Sequence, residues 1–233
     1  MMRDKKIVDT TLFKGRQEAF EELLSTISIN PSDISNTVLI AVSKAGIYFA
    51  YMLSKALKVR MNVLLSEKIV APNNSELSIA MVSETEEMVM HKPYIKSFGI
   101  DKDYVYSQAH HQYEEVVIKH IYQYRKGIPL EPLNGKHIIL VDECIETGLT
   151  MMLALKSMIE MEVRSLYVAV PVLDKSLYPN LLTLCDGIFC PHQIENYISI
   201  DYYYKDAQEL DFEEIEEMIA DSGILQESKH TKE

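Results

Sequence analysis

Residues Ile138-Ile139-Leu140-Val141-Asp142-Glu143-Cys144-Ile145-Glu146-Thr147-Gly148-Leu149-Thr150 carry the most specific pattern in the chain. Four apolar residues run straight into two adjacent carboxylates, and Thr-Gly-x-Thr begins five residues after the first of them. An unbroken apolar run suits a strand of a parallel sheet covered on both faces. Residues 151–161 are apolar with helical character, which predicts a helix starting near Thr150. The turn between strand and helix then lies at the carboxyl end of a strand, where open α/β sheets bind ligands.

The chemistry of such a turn follows from its parts. Amides at a helix start have no partner inside the helix and, with the helix dipole, favour a phosphate. Gly148 lets the backbone approach closely, and Thr147 and Thr150 add hydroxyl donors. Asp142 and Glu143 lie too far back to share that phosphate, which their charge would repel. They suit neutral hydroxyls, such as a ribose diol, or a hydrated Mg²⁺. Phosphate at one end and a diol or metal at the other describe a cradle for a ribose 5-phosphate. The plainer alternative is a buried strand with a capped helix behind it, or the acidic strand end of a receiver-type fold.

The stretch resembles the ribose-phosphate signature of the type I phosphoribosyltransferases: four apolar residues, Asp, Asp or Glu, three variable residues, Thr, Gly or Ser, one variable residue, Thr. Every defining position matches. A second resemblance lies at Ser43-Lys44-Ala45-Gly46, between an apolar run over 37–42 and a helical pattern over 47–57. In those enzymes this turn holds the pyrophosphate of phosphoribosyl pyrophosphate (PRPP), and small residues let backbone amides close on the anion. It is similar to the Leu-Lys-Gly-Gly turn of hypoxanthine-guanine phosphoribosyltransferases and to the Pro-Arg-Gly-Gly turn of a bacterial phosphoribosyltransferase-like group. Ala45 replaces a glycine, which narrows the allowed backbone. The family often has a non-proline cis peptide in this turn, and the resemblance puts it at Lys44–Ala45. The bacterial group is matched again at Lys68, Ala71, Pro72, Asn74, Glu76, Leu77, Ile79 and Val82. Glu67 there replaces an arginine and Ala80 a glycine.

Composition sets the outer bounds. With 233 residues, 47% of them hydrophobic, the chain can bury a full core in one large domain or one domain with a small cap. A net charge of -12 argues against a general nucleic-acid binder but not against a phosphorylated substrate, since an anion site needs only a few local donors. Cys144, Cys185 and Cys190 are an odd number without metal-ligand spacing, and read as reduced thiols in or near the core. The N-terminus is charged and no apolar run reaches the length of a membrane span, so the expectation is a cytoplasmic protein without a membrane partner.

The remaining segments read as scaffold. Residues 11–29 fit a helix with Phe13, Phe20, Leu23, Leu24 and Ile27 inward and Lys14, Arg16, Glu18 and Glu21 on the other side. Residues 59–65 fit a strand, and 77–90 a hairpin with Ser83-Glu84-Thr85-Glu86-Glu87 as its polar loop. Residues 104–124 have helical charge spacing, and 164–172 and 185–190 read as strands. Residues 211–220 fit a helix with Asp211 as N-cap, Glu214 three residues on, and Phe212, Ile215, Met218 and Ile219 inward. From Gln226 onward the chain is polar and reads as frayed.

The expected fold is α/β: a doubly wound, mainly parallel sheet of the type I phosphoribosyltransferase kind, in a single domain over 1–233. Its core spans about 11–66 and 126–190, a flap about 68–125, and a small hood with the C-terminal helix about 191–223. The resemblance implies transfer of ribose 5-phosphate from PRPP to a nitrogen acceptor such as a nucleobase, with release of pyrophosphate. It assigns the 5′-phosphate to Thr147, Gly148 and Thr150 with the amides of Glu146 and Leu149. Asp142 and Glu143 become the catalytic carboxylates at the ribose diol, with Mg²⁺ held through PRPP and reached by them through water. Ser43, Lys44, Ala45 and Gly46 take pyrophosphate. Glu146 is either a general base or a helix-start carboxylate that favours the dipole. In the family the flap closes over PRPP to exclude water, and homodimers with shared flap residues are usual. The hood tyrosines Tyr197, Tyr202, Tyr203 and Tyr204 either stack on a flat base or bury the hood against the core. Competing readings are a non-catalytic PRPP- or nucleotide-binding regulator, toward which Ala45 and Glu67 point, and a receiver-like protein, against which the length and the hood argue.

Overall fold

In the computed structural model, which describes residues 11–206, 208 and 210–225, helix α1 (Arg16–Thr26) precedes strand β1 (Thr37–Ala41), helix α2 (Lys44–Leu57) and strand β2 (Arg60–Val63). An antiparallel insertion follows, with β3 (Ser66–Ala71), β4 (Asn74–Ser83) and β5 (Met88–Met90). Helices α3 (Lys92–Ser97), α4 (Lys102–Gln112) and α5 (Ile118–Arg125) come next, the last two joined through a π-helical turn at Tyr113–Val117. The chain then returns with β6 (His137–Val141), β7 (Cys144–Ile145), α6 (Leu149–Glu160), β8 (Ser165–Ala169) and β9 (Val172–Asp174). It ends with α7 (Tyr178–Leu182), β10 (Gly187–Phe189), β11 (His192–Ile194) and α8 (Phe212–Asp221).

Five strands form a parallel sheet in the order β10-β8-β6-β1-β2. Because side chains alternate along a strand, each strand feeds two cores. Leu39, Ala41, Ile139 and Val141 meet Phe20, Phe49 and Ile215 on the face covered by α1, α2 and α8. Val38, Ile40, Ile138 and Leu140 meet Leu155, Met158 and Leu181 on the face covered by α6 and α7. Burial on both faces is why β1 and β6 read as unbroken apolar runs. From β1 the chain winds outward to β2, and from β6 it winds the other way to β8 and β10. The switch point between β1 and β6 is where open α/β sheets hold their ligands.

Three core strands kink and continue. β6, β8 and β10 pass through Asp142-Glu143, Val170-Pro171 and Cys190-Pro191 into a second parallel sheet, ordered β11-β9-β7. The stretch expected as one strand over 164–172 is therefore two, because Pro171 has no N–H for the ladder. The kink after β6 carries the two carboxylates.

The insertion packs against the core. The hairpin over 77–90 is present, and β3 joins it in a sheet ordered β3-β4-β5. Ile79, Ala80, Val82 and Ser83 are buried, and Ser83 Oγ lies 3.0 Å from Ser157 Oγ of α6. A buried ion pair between Arg125 and Glu84 ties the β4–β5 turn to α5. The tip at residues 72–76 is continuously exposed.

Several boundaries moved for identifiable reasons. α1 begins at Arg16, because Phe13 leaves the helical line to bridge Tyr204, and the amides of Leu12 and Phe13 donate to Tyr203 O. α2 begins at Lys44, since Ser43 Oγ caps it by accepting from Gly46 N–H at 2.9 Å. Lys44 and Ala45 thus sit in a helical turn, and no cis peptide occurs among the described residues, so the Lys44–Ala45 bond, the place the resemblance gives for one, is trans. The capping box of Asp211 and Glu214 forms, and Ile215 and Ile219 are buried. Phe212, expected inward, is 40% exposed at the first position of α8, edged by the ring of Tyr124. Ala207 of the hood and residues from Gln226 onward lie outside the described residues.

Candidate functional site

The ends of β1 and β6 lie side by side, and their turns meet. Val42 N–H donates to Val141 O at 3.1 Å. Ser43 Oγ, already the cap of α2, donates to Asp142 Oδ1 at 2.5 Å, so one hydroxyl joins both turns. A Cβ on Gly46 would stand 2.7 Å from Val141 O and 3.1 Å from Asp142 Cα. The glycine requirement of the first turn therefore falls on Gly46, where α2 crosses the end of β6. Ala45 is helical and needs no such freedom.

Asp142 and Glu143 are buried at the kink between β6 and β7. Burial, aided by the neighbouring Glu143 charge, raises the Asp142 carboxyl to about 7 against the hydrogen bonds from Ser43 and the Glu143 amide. Glu143 is held by Arg16, whose Nε donates to Oε1 at 2.7 Å and whose Nη2 donates to Oε2 at 3.4 Å. Arg16 also donates to the carbonyl of Gln208. Sequence periodicity placed Arg16 on the outward side of a scaffold helix. The Phe13–Tyr204 bridge carries the start of α1 to the kink, and no local signal near Arg16 announces that contact.

The hood tyrosines back this kink. Tyr203 and Tyr204 are buried, and Tyr197 packs against Tyr203 at 5.1 Å between ring centroids. Burial raises the phenol pKa of Tyr197 and Tyr204, with the Cys144 side adding to the first and Glu143 to the second. Tyr202 is 51% exposed. None of the four lines the cavity at residues 147–150, and Tyr203 and Tyr204 bury the hood against the core. Cys144, Cys185 and Cys190 are free thiols whose pKa burial raises, in keeping with near-core positions.

A cavity of about 230 Å³ opens between the two turns, lined by Ser43, Ala45, Asp142, Thr147, Gly148 and Thr150 among others. Glu146 lies on its exposed rim. Gly148 has φ +76, a left-handed conformation that favours glycine, and it caps α6, which starts at Leu149. Thr150 Oγ1 donates to Met81 Sδ at 3.2 Å, tying this loop to β4. A second cavity of about 330 Å³ lies beyond Ser43, with Lys44 on its wall. The structure thus brings together every sequence-predicted site residue at one end of the sheet, with Ala45 and Lys44 facing different cavities. Among the described residues no three His, Cys, Asp or Glu side chains form a metal cluster.

A glycine-capped helix start and a buried acidic pair, both at the end of β6 beside the switch point of a parallel sheet, define an α/β protein with a ligand crevice at its strand ends. The family model described as phosphoribosyl transferase domain matches residues 14–207, and the chain belongs to that family of phosphoribosyltransferase enzymes. Among solved structures, it is similar to TT1426 from Thermus thermophilus at 24% identity and a TM-score of 0.72, covering 91% of this chain and 99% of that one. This likeness is one of fold. A hypothetical protein from Neisseria gonorrhoeae with bound ppGpp is similar at 14% identity and a TM-score of 0.47, covering 92% and 98%. A purine phosphoribosyltransferase from Pyrococcus horikoshii is similar at 10% identity and a TM-score of 0.44, covering 87% and 96%.

Proposed function

We propose that the chain transfers ribose 5-phosphate from PRPP to a nitrogen acceptor, a nucleobase in the simplest case, and releases pyrophosphate. One observation carries this reading: the loop at 147–150 and the turn at 43–46 face each other at the β1/β6 switch point, with a buried acidic pair beside them. Thr147, Gly148, Thr150 and the amides of Glu146 and Leu149 receive the 5′-phosphate. Thr150 exchanges a thioether, a weak acceptor, for a phosphate oxygen. Asp142 and Glu143 accept from the ribose hydroxyls. A carboxylate oxygen has two lone pairs, so Glu143 keeps acceptor capacity beyond Arg16, which fixes its orientation. Fixed carboxylates near the sugar stabilise the positive charge that develops at C1 as pyrophosphate leaves. Ser43, Lys44, Ala45 and Gly46 hold the pyrophosphate.

Mg²⁺ accompanies PRPP in this reading. It usually takes one or two carboxylates, several waters and substrate phosphates, which fits an acidic pair without a third ligand. Asp142 and Glu143 would meet it through water, and it would neutralise pyrophosphate oxygens. The same reading treats 1–233 as one functional unit with the core, flap and hood limits given above, acting in the cytoplasm as a homodimer without nucleic acid or membrane. No helix among the described residues is long and apolar enough to cross a membrane.

Pyrophosphate release from PRPP and Mg²⁺, measured over a panel of purines, pyrimidines and small amines, tests the proposal. Acceptor-dependent release is expected. PRPP binding without release for any acceptor would favour the non-catalytic regulator. Glu146→Gln then decides between its two roles. Loss of the acidic limb of the pH–rate profile identifies a general base, and unchanged turnover identifies a helix-start carboxylate.

A further inference from the structure

We propose that His120, on the inserted helix α5, binds the pyrophosphate group of PRPP together with Lys44, which makes the inserted helices part of the donor site. The inference rests on the phosphoribosyltransferase reading and adds a residue that the signature motifs do not contain.

The cavity beyond Ser43 has Ser43 and Lys44 on one side, Glu67 of β3 on another, and helix residues above. Residues 112, 116, 120 and 124 all line it, a stripe repeating every four positions. A plain α-helix would carry such a stripe around its axis, and the wider π-helical turn at Tyr113–Val117 reduces that drift. The geometry points Gln112 and His120 at the same space as Lys44. Among the described residues Lys44 has no ion pair and the His120 imidazole no hydrogen bond; the ring contacts Tyr124 at 5.8 Å between centroids. Two nitrogen groups converge on one cavity that Glu67 alone lines with a carboxylate, although the chain carries a net charge of -12. The first cavity offers the phosphate loop and the acidic pair, and the two cavities share Ser43. A PRPP molecule with its 5′-phosphate in the first cavity would extend its C1 pyrophosphate past Ser43 into the second.

The charges around His120 make it responsive. Partial burial lowers its pKa, Glu67 from β3 raises it, and Lys44 from α2 lowers it. Tyr124, the other titratable group against it, has a phenol pKa raised by burial and stays neutral. The free protein at neutral pH therefore holds a neutral imidazole. A pyrophosphate anion beside Lys44 reverses the balance, because an opposite charge within a few ångströms favours the protonated ring. Pyrophosphate and PRPP would then bind with uptake of a proton at His120.

Proton NMR of the histidine ring protons, with the full chain and with His120→Gln to assign the signal, tests this. Saturating Mg²⁺ and pyrophosphate are expected to raise the His120 midpoint by about one unit. In parallel titration calorimetry, His120→Gln should weaken pyrophosphate and PRPP about three- to fivefold at pH 6.5, a difference that closes by pH 8.5. His110→Gln, on an exposed stretch of α4, should change neither readout. If wild type binds PRPP but the His120 midpoint does not move, or if His120→Gln binds as wild type does at every pH, the assignment to His120 fails alone. If wild type binds neither PRPP nor pyrophosphate, this inference and the phosphoribosyltransferase reading fail together.

Discussion

Gly46 has no room for a methyl group, because Val141 O would lie 2.7 Å from it and both backbones belong to packed elements. Gly46→Ala is expected to cost about 1–3 kcal/mol, as overpacking generally does, and to weaken PRPP binding by pushing α2 off β6. Urea denaturation and calorimetry on the same variant check both effects. Arg16→Ala leaves the Glu143 side chain, 10% exposed, without its charged partner, which should cost about 2 kcal/mol. Arg16→Lys should recover only part of that, because an ammonium lacks the fork that reaches both oxygens. Asp142 sets a pH dependence whose sign is opposite to the usual carboxylate. Its folded pKa is raised to about 7, above the roughly 3.9 of an unfolded aspartate, so the folded state holds a proton that the unfolded chain releases. The resulting stabilisation is complete below about pH 4 and is lost as pH rises to about 7. Asp142→Asn does not titrate there. In ligand-free protein its stability relative to wild type should therefore increase across that window, measured by urea unfolding at several pH values.

At the scale of elements, legibility followed how local the cause was. β1 and β6 were readable because burial on both faces leaves an unbroken apolar run. The box at Asp211 and Glu214 was readable because both partners lie within one turn. The start of α1 and the contact of Arg16 depend on residues far along the chain, and no window around them contains the reason. The Arg125–Glu84 pair is the clearest case. Composition places arginine and glutamate outside, yet Arg125 is fully buried and Glu84 nearly so, linking a hairpin turn to the end of α5. Glu84 Oε1 also accepts from Leu65 N–H at 2.8 Å, so the pair fixes the chain leading to Glu67. Arg125→Met alone should cost about 3–5 kcal/mol, since it strands a buried carboxylate. The combined Arg125→Met and Glu84→Leu should cost less than the two single changes added, a non-additivity that denaturant melts of all four proteins would show.

For the molecule as a whole, function follows from where the two halves of the sheet meet. The chain winds away from β1 in one direction and from β6 in the other, so the loops after those two strands are left facing each other. The proposed ribose-phosphate end of that site lies in the contiguous run 138–150, so its residues stand together in the sequence. The opposite cavity combines α2, β3 and the inserted helices, and its side-chain set became visible only in three dimensions. Isothermal calorimetry of PRPP with Mg²⁺, on wild type, Thr147→Val and Asp142→Asn, tests the central claim most directly. Saturable binding by wild type, weakened at least about tenfold in each variant, is the expected result. Binding that both variants leave unchanged would contradict the placement of the donor at these residues, and no binding by wild type would remove PRPP from the account.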